Sequence, residues 1–238
     1  MAIQNAASGI EGAVAPGENI VLYGTGIGPA GSAVLGSMVN NALATTVANT
    51  RVLFDGVPAH IYYTSSGQTS VFVPYGIVGQ TRTRIVVEVQ GVQSNPTSPA
   101  VSLAVPGVYT LNQSGSGPGV IWNFDLNGNY AGINSTSNPV VRGAVIAVYV
   151  TGEGRTNEPG NIDGMAVTNL YKPLAEVTAT VGGQPAIVEY AGSAPGSIYG
   201  VMQVNLRIPT NAPTGANVPI IIAVGSASTQ PGVTLAVR

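Results

Sequence analysis

Residues 177–192 read VTATVGGQPAIVEYAG, and residues 50–65 read TRVLFDGVPAHIYYTS. Each sets alternating apolar residues before a glycine, then Pro-Ala, then a second apolar run that reaches a tyrosine. Gly56 and Gly183 are 127 positions apart, as are Pro58 and Pro185. A period of two marks a strand with one wet face, and a glycine between two such runs marks a hairpin.

The likeness continues on both sides. NIVLYGTGIGP (19–29) matches AVIAVYVTGEGR (144–155), with Tyr23 against Tyr149 at an offset of 126. VFVPYGIVGQ (71–80) matches NLRIPTNAPTG (205–215), with Pro74 against Pro209 at 135; the jump reads as one insertion, SAPGSIYG (193–200). TRIVVEVQG (83–91) matches VPIIIAVGS (218–226), and VSLAV (101–105) matches VTLAV (233–237) at an offset of 132. Ordered matches with slowly drifting offsets predict a tandem duplication, and units of about 100 residues are whole domains rather than solenoid repeats.

Each unit reads as all-β. Runs rich in Val, Ile, Thr and Tyr are broken by Gly, Pro, Asn and Ser. About seven short strands per hundred residues is the signature of an Ig-like β-sandwich, here in the broad sense because the Cys…Trp…Cys pattern is absent. The expected division is 1–107 and 108–238, two tandem Ig-like β-sandwich domains related by internal duplication. The second opens with a hairpin over about 119–134, where Asn127-Gly128 is a strong turn signal. SGSGPG (114–119) reads as a flexible joint. The nearest approach to a helical pattern is 33–47, weakened by Gly36 and by Asn40-Asn41.

Composition narrows the function. Apolar residues are 45% of the 238, ample for a core, while charged residues are only 8%, against about 25% in ordinary soluble domains. A net charge of −2 with no basic run offers nothing to nucleic acid or an anionic membrane. The apolar runs 144–150 and 218–224 are far short of the roughly 18 residues a membrane helix needs, so no membrane insertion is expected. With no cysteine, a disulfide framework, a zinc–thiolate site and a cysteine nucleophile are excluded. MAIQNAASG lacks the basic and apolar regions of a signal peptide, so the sequence is expected to be a mature form or a piece excised from a longer protein. A surface poor in Lys and Glu and rich in Thr, Ser, Asn and Gly points to an extracellular or cell-surface setting.

NAAS (5–8), VAPG (14–17), YGTGIGP (23–29), DGVPA (55–59), the GQ and VPY of 67–75, SNP and RG within 137–143 and the closing VTLAV resemble the uncharacterised C-terminal domain family of acidobacterial (Solibacter-type) secreted proteins. The likeness covers nearly the whole chain. It implies extracellular placement and an Ig-like or IPT-like β-sandwich. The family has no assigned catalytic residues, so none carries over.

Candidates for chemistry are few. GTGIG (24–28) lacks the spacing and the following helix of a phosphate loop, and its counterpart VTGEG puts Glu153 where a phosphate would be repelled. DLNGN (125–129) offers Asp125, Asn127 and Asn129 as alternating oxygen ligands for calcium, but Tyr130 and Thr136 stand where a full loop needs Gly and Glu, and a hairpin turn explains the same residues. His60, the one histidine, matches Ile187 and reads as a strand residue. Glu153, Glu158 and Asp163 are close in sequence, as a carboxylate pair would need, without evidence of a cleft. No cofactor and no enzymatic activity are expected.

The aromatics Tyr62, Tyr63, Tyr75, Trp122, Tyr130, Tyr171, Tyr190 and Tyr199 read mostly as core and cross-strand pairs. Tyr171 and Tyr199, assigned to loops, are the candidates for stacking on a sugar. The leading expectation is a non-catalytic extracellular structural or adhesive protein that self-assembles into filaments by β-strand addition, donating its N-terminal or C-terminal strand. The alternative is a carbohydrate-binding module of a larger secreted protein, with a polysaccharide as partner.

Overall fold

The structure, a computed structural model, describes residues 1–158, 160 and 162–238. The chain is all-β; among the described residues the one helical element is a single 3-10 turn at Tyr75–Ile77. Buried apolar side chains form two clusters. One draws on residues from Ile3 to Val87, with Val101 packed against it, and the other on residues from Ala104 to Val237.

Around the first cluster lie β1 (Ala2–Asn5), β2 (Asn19–Tyr23), β3 (Val34–Leu35), β4 (Met38–Val39), β5 (Ala42–Leu43), β6 (Thr50–Phe54), β7 (Val57–Pro58), β8 (His60–Thr64), β9 (Gln68–Phe72), β10 (Ile85–Val89) and β11 (Val92–Gln93). They make one sheet in the order β1-β2-β9-β8-β3 and another in the order β11-β10-β6-β7. Ile20, Leu22, Ile61 and Val71 of the first sheet share the cluster with Val52, Phe54, Ile85 and Val87 of the second. Burial of such side chains is worth about 1.5–3 kcal/mol each. Only two ion pairs, Arg51–Glu88 and Arg207–Glu189, occur among the described residues, and surface pairs add little. The fold therefore rests on alternating apolar residues.

Around the second cluster lie β12 (Gly107–Val108), β13 (Gly117–Pro118), β14 (Ile121–Phe124), β15 (Tyr130–Ile133), β16 (Val145–Thr151), β17 (Val177–Val181), β18 (Gln184–Ser193), β19 (Val201–Arg207), β20 (Gly215–Val224), β21 (Ala227–Ser228) and β22 (Val233–Val237). Their order is β13-β22-β20-β17-β18-β19-β16-β14-β15. The path folds back at β18, whose first residues pair with β17 and whose later residues pair with β19.

The two opening stretches form matching hairpins. Asp55-Gly56 turns β6 into β7, and Gly182-Gly183 turns β17 into β18. All four residues have positive φ, which a two-residue type I′ turn demands and which Gly and Asp tolerate. In each unit the following strand carries a register irregularity, between Ile61 and Tyr63 in the first and between Val188 and Tyr190 in the second. The extra residues are Tyr62 and Glu189.

Several expectations change. The Asn127-Gly128 hairpin forms between β14 and β15. Segment 33–47, however, contains β3 and the β4–β5 hairpin, whose turn is Asn40-Asn41 with both φ positive. SGSGPG is no loose joint: Gly117 and Pro118 pair in parallel with Val233 and Thr234, and the Gly117 N–H donates to Gly232 O at 2.8 Å. Both terminal strands are paired within their own sheets. β1 pairs with β2, and β22 is held between β20 and β13. β22 is bonded along both sides, whereas β1 is an edge strand bonded along one side, apart from an isolated bridge between Gln4 and Glu11.

Candidate functional site

The outer faces of two sheets meet across the junction between the clusters and leave a cleft of about 550 Å³. One wall is the outer face of β2, β9 and β8. Ile20, Leu22, Ile61 and Val71 point inward, so alternation turns Val21, Tyr23, Ser70 and Gln68 outward, and the register shift at the Tyr62 bulge sets Tyr63 opposite Ser70 on that same outward face. The bulge at Tyr62 releases that ring from the pleat, and it is 48% exposed at the cleft. Bulges commonly re-aim a side chain in this way. The other wall comes from Tyr109, Thr110, Leu111, Gln113, Val120, Tyr149 and Val201. Tyr149 faces out because Ile146, Val148 and Val150 of β16 face the core.

Five tyrosines line the cleft, with Asn19, Gln68, Ser70, Thr110 and Gln113 among them, and no Asp, Glu, Lys, Arg or His. Its floor is fixed by hydrogen bonds. Ser70 Oγ donates to Asn19 Oδ1 at 2.8 Å, and Asn19 Nδ2 donates to the Tyr109 hydroxyl at 3.2 Å. The Asn19 N–H donates to Thr151 Oγ1 at 2.8 Å, and Thr151 Oγ1 donates to Gly200 O at 2.7 Å. Burial pushes the Tyr109 hydroxyl far above the usual phenol range, so it stays un-ionised.

Behind the cleft the junction holds buried carboxyls. Glu18 Oε2 accepts from the Ala15 N–H at 2.7 Å and Oε1 accepts from Asn5 Nδ2 at 2.9 Å. Asn5 Nδ2 also donates to Val105 O at 3.0 Å, tying this network to the connecting segment. Burial pushes the Glu18 carboxyl up to about 8 despite those two donors. Glu153, from the other unit, accepts from the Tyr75 hydroxyl at 3.4 Å, while its Oε2 is buried without a partner. Burial pushes the Glu153 carboxyl up to about 7. Asp163 Oδ1 accepts from the Tyr75 N–H at 2.8 Å, and burial raises this carboxyl too. The units are further joined by Leu43 N–H donating to Gly164 O and Ala166 N–H donating to Asn41 O, each at 2.9 Å.

The sequence candidates fall elsewhere. Tyr199 lies in the segment 193–200 and is 2% exposed. Its hydroxyl accepts from the Asn169 N–H at 3.0 Å and donates to Asn169 O at 3.2 Å. Its ring meets Tyr171 at a centroid distance of 5.5 Å. A buried ring with a committed hydroxyl presents no face to a sugar, so Tyr199 is a structural residue, with Tyr171 packed on it. Asp125 spends its carboxylate on its own turn: Oδ1 accepts from the Asn127 N–H at 2.9 Å and the Asn129 N–H at 2.8 Å, and Oδ2 accepts from Asn129 Nδ2 at 3.0 Å. The Asn129 side chain, foremost, holds this carboxyl below its ordinary range. Among the described residues no three His, Asp or Glu side chains converge on a metal-sized site. His60 contacts Leu43 O through Nδ1 and packs against Gly164. Reading by repeats missed Tyr23, Tyr109 and Tyr149 as a group; the signal was present only as outward register positions in strands whose neighbours were not known.

No model of a known protein family matches the chain, and no curated protein matches it.

Proposed function

We propose that this protein is a non-catalytic binding module of an exported, acidobacterial-type protein, working outside the cell or on its surface, and that the tyrosine cleft holds a neutral polysaccharide. The observation that carries this reading is the lining of the cleft: five tyrosines, hydroxyl and amide side chains, and no ionisable group other than phenol. Sugar rings have an apolar CH face that stacks on an aromatic ring and a rim of hydroxyls that pair with amides and hydroxyls. An anionic or cationic ligand would enter such a cleft uncompensated. The cleft's size and its position between two units suit a ligand site.

The matched turns and the bulges at Tyr62 and Glu189, at the same offset as Gly56 and Gly183, support an origin of the two units by duplication. In that reading one unit's insertion, 193–200, became part of the junction: Gly200 packs against Gly17 O.

Isothermal titration against soluble neutral glycans tests the assignment. Tyr62→Ala is expected to weaken binding about tenfold, the loss of roughly 1.4 kcal/mol that one stacking ring supplies. Unchanged affinity in Tyr62→Ala and Tyr23→Ala would sink it.

A second reading, self-association in an adhesive or structural role, is favoured by β15. This edge strand carries no charge and is largely exposed.

A further inference from the structure

The cleft does not end at Tyr149. The Tyr149 ring meets Trp122 at 5.3 Å and 70°, and Trp122 meets Tyr130 at 5.5 Å and 69°. These rings lie on the outer face of neighbouring strands. Trp122 sits opposite Ala147 of β16 on one side and Ile133 of β15 on the other. Ile121 and Asn123 point inward, so the alternation of β14 turns Trp122 out to solvent, where it is 40% exposed and Tyr130 59%. Edge-to-face contacts prop each ring on the next, so the surface is already ordered and loses little entropy on binding.

Beside the rings, Gln203 and Asn205 occupy outward positions of β19 opposite Tyr149 and Ala147. Gln203 Nε2 donates to Asn205 Oδ1 at 2.8 Å. The charged residues that share a depression with Asn205 are already engaged: Arg207 Nε donates to Glu189 Oε1 at 2.7 Å, and Asp125 is spent on its turn. From Tyr62 through the cleft to Tyr130 the surface therefore offers rings, amides and hydroxyls without free charge.

Resting on the polysaccharide reading of the cleft, we propose that the ligand is a long polymer whose chain leaves the cleft over Tyr149 and continues across Trp122 and Tyr130. The occupant is a neutral, extended glycan, and a short oligosaccharide fills only part of the site. The continuity of the ring track with the cleft and the lack of free charge along it both support that ligand. An apolar protein surface would find amides and phenol hydroxyls left unpaired.

Titration of the full chain with cello-, manno- and xylo-oligosaccharides, from disaccharide to hexasaccharide, tests the track. Affinity is expected to rise with length in at least one series. Trp122→Ala, and independently the more exposed Tyr130→Ala, are expected to remove about tenfold of that rise while leaving disaccharide affinity unchanged. A length dependence identical in parent and both variants overturns the track and leaves the cleft reading standing. So does equal affinity for every length. Failure of every sugar to bind overturns both.

Discussion

Single residues decide whether the two units can approach. Gly152 has φ +82° and Gly154 φ +74°, and a Cβ on either would run into the backbone carbonyl of Val105 or Leu103. These are the glycines whose spacing in VTGEG resembled part of a phosphate loop. Their work is steric: they let the connecting segment lie against the end of β16. Gly152→Ala is expected to cost about 2 kcal/mol or more, since the left-handed backbone alone costs about 1 and the collision adds to it. Denaturant unfolding measures this; a loss under about 0.5 kcal/mol would mean that the segment yields easily. Tyr199 makes the same point from the other side. Its loop position in the sequence suggested a free ring, but a loop that packs across a junction buries what it carries.

At the scale of elements, legibility followed locality. The hairpins at Asp55-Gly56 and Gly182-Gly183 could be read because a turn with two positive φ values restricts residue type on its own, and the one at Asn127-Gly128 because its Gly128 takes a positive φ. Strands such as β16 and β20 could be read because their alternation is a property of contiguous residues. The β4–β5 hairpin was harder: its strands are two residues each, and only Asn40-Asn41 marks it. β13 was read as a joint because glycine-rich segments are flexible alone, whereas here it is clamped by a strand more than a hundred residues away. The cleft could not be read for the same reason. Its floor needs Asn19 beside Thr151, a contact between distant segments. The edge β15 carries its own expectation. If its unpaired backbone drives assembly, sedimentation velocity will show oligomers growing with concentration, and Ala131→Lys will abolish them. Monomers throughout would remove the self-association reading.

For the molecule as a whole, the junction buries a carboxyl from each unit, Glu18 and Glu153, and neither has a salt-bridge partner among the described residues. The folded-state values of Glu18 and Glu153, about 8 and about 7, lie above the ordinary carboxyl value of 4.5. The folded chain therefore binds more protons than the unfolded chain between these limits. Stability from this source is full below about pH 4.5 and is lost as pH rises through about 7 and 8. Thermal melts from pH 5 to 9 are expected to show a falling midpoint, and Glu153→Gln, which mimics the protonated form, should flatten the fall. A Glu153→Gln profile that parallels the parent would show that the junction does not sense protons. The C-terminal strand has a different consequence. β22 is bonded along both sides, and Asn134 clasps Ala236 by accepting from its N–H at 2.7 Å and donating to its carbonyl at 2.9 Å. A tensile load applied at Arg238 along the strand acts on these bonds in shear, so they must fail together instead of peeling one after another, and the second unit resists being pulled apart from that end.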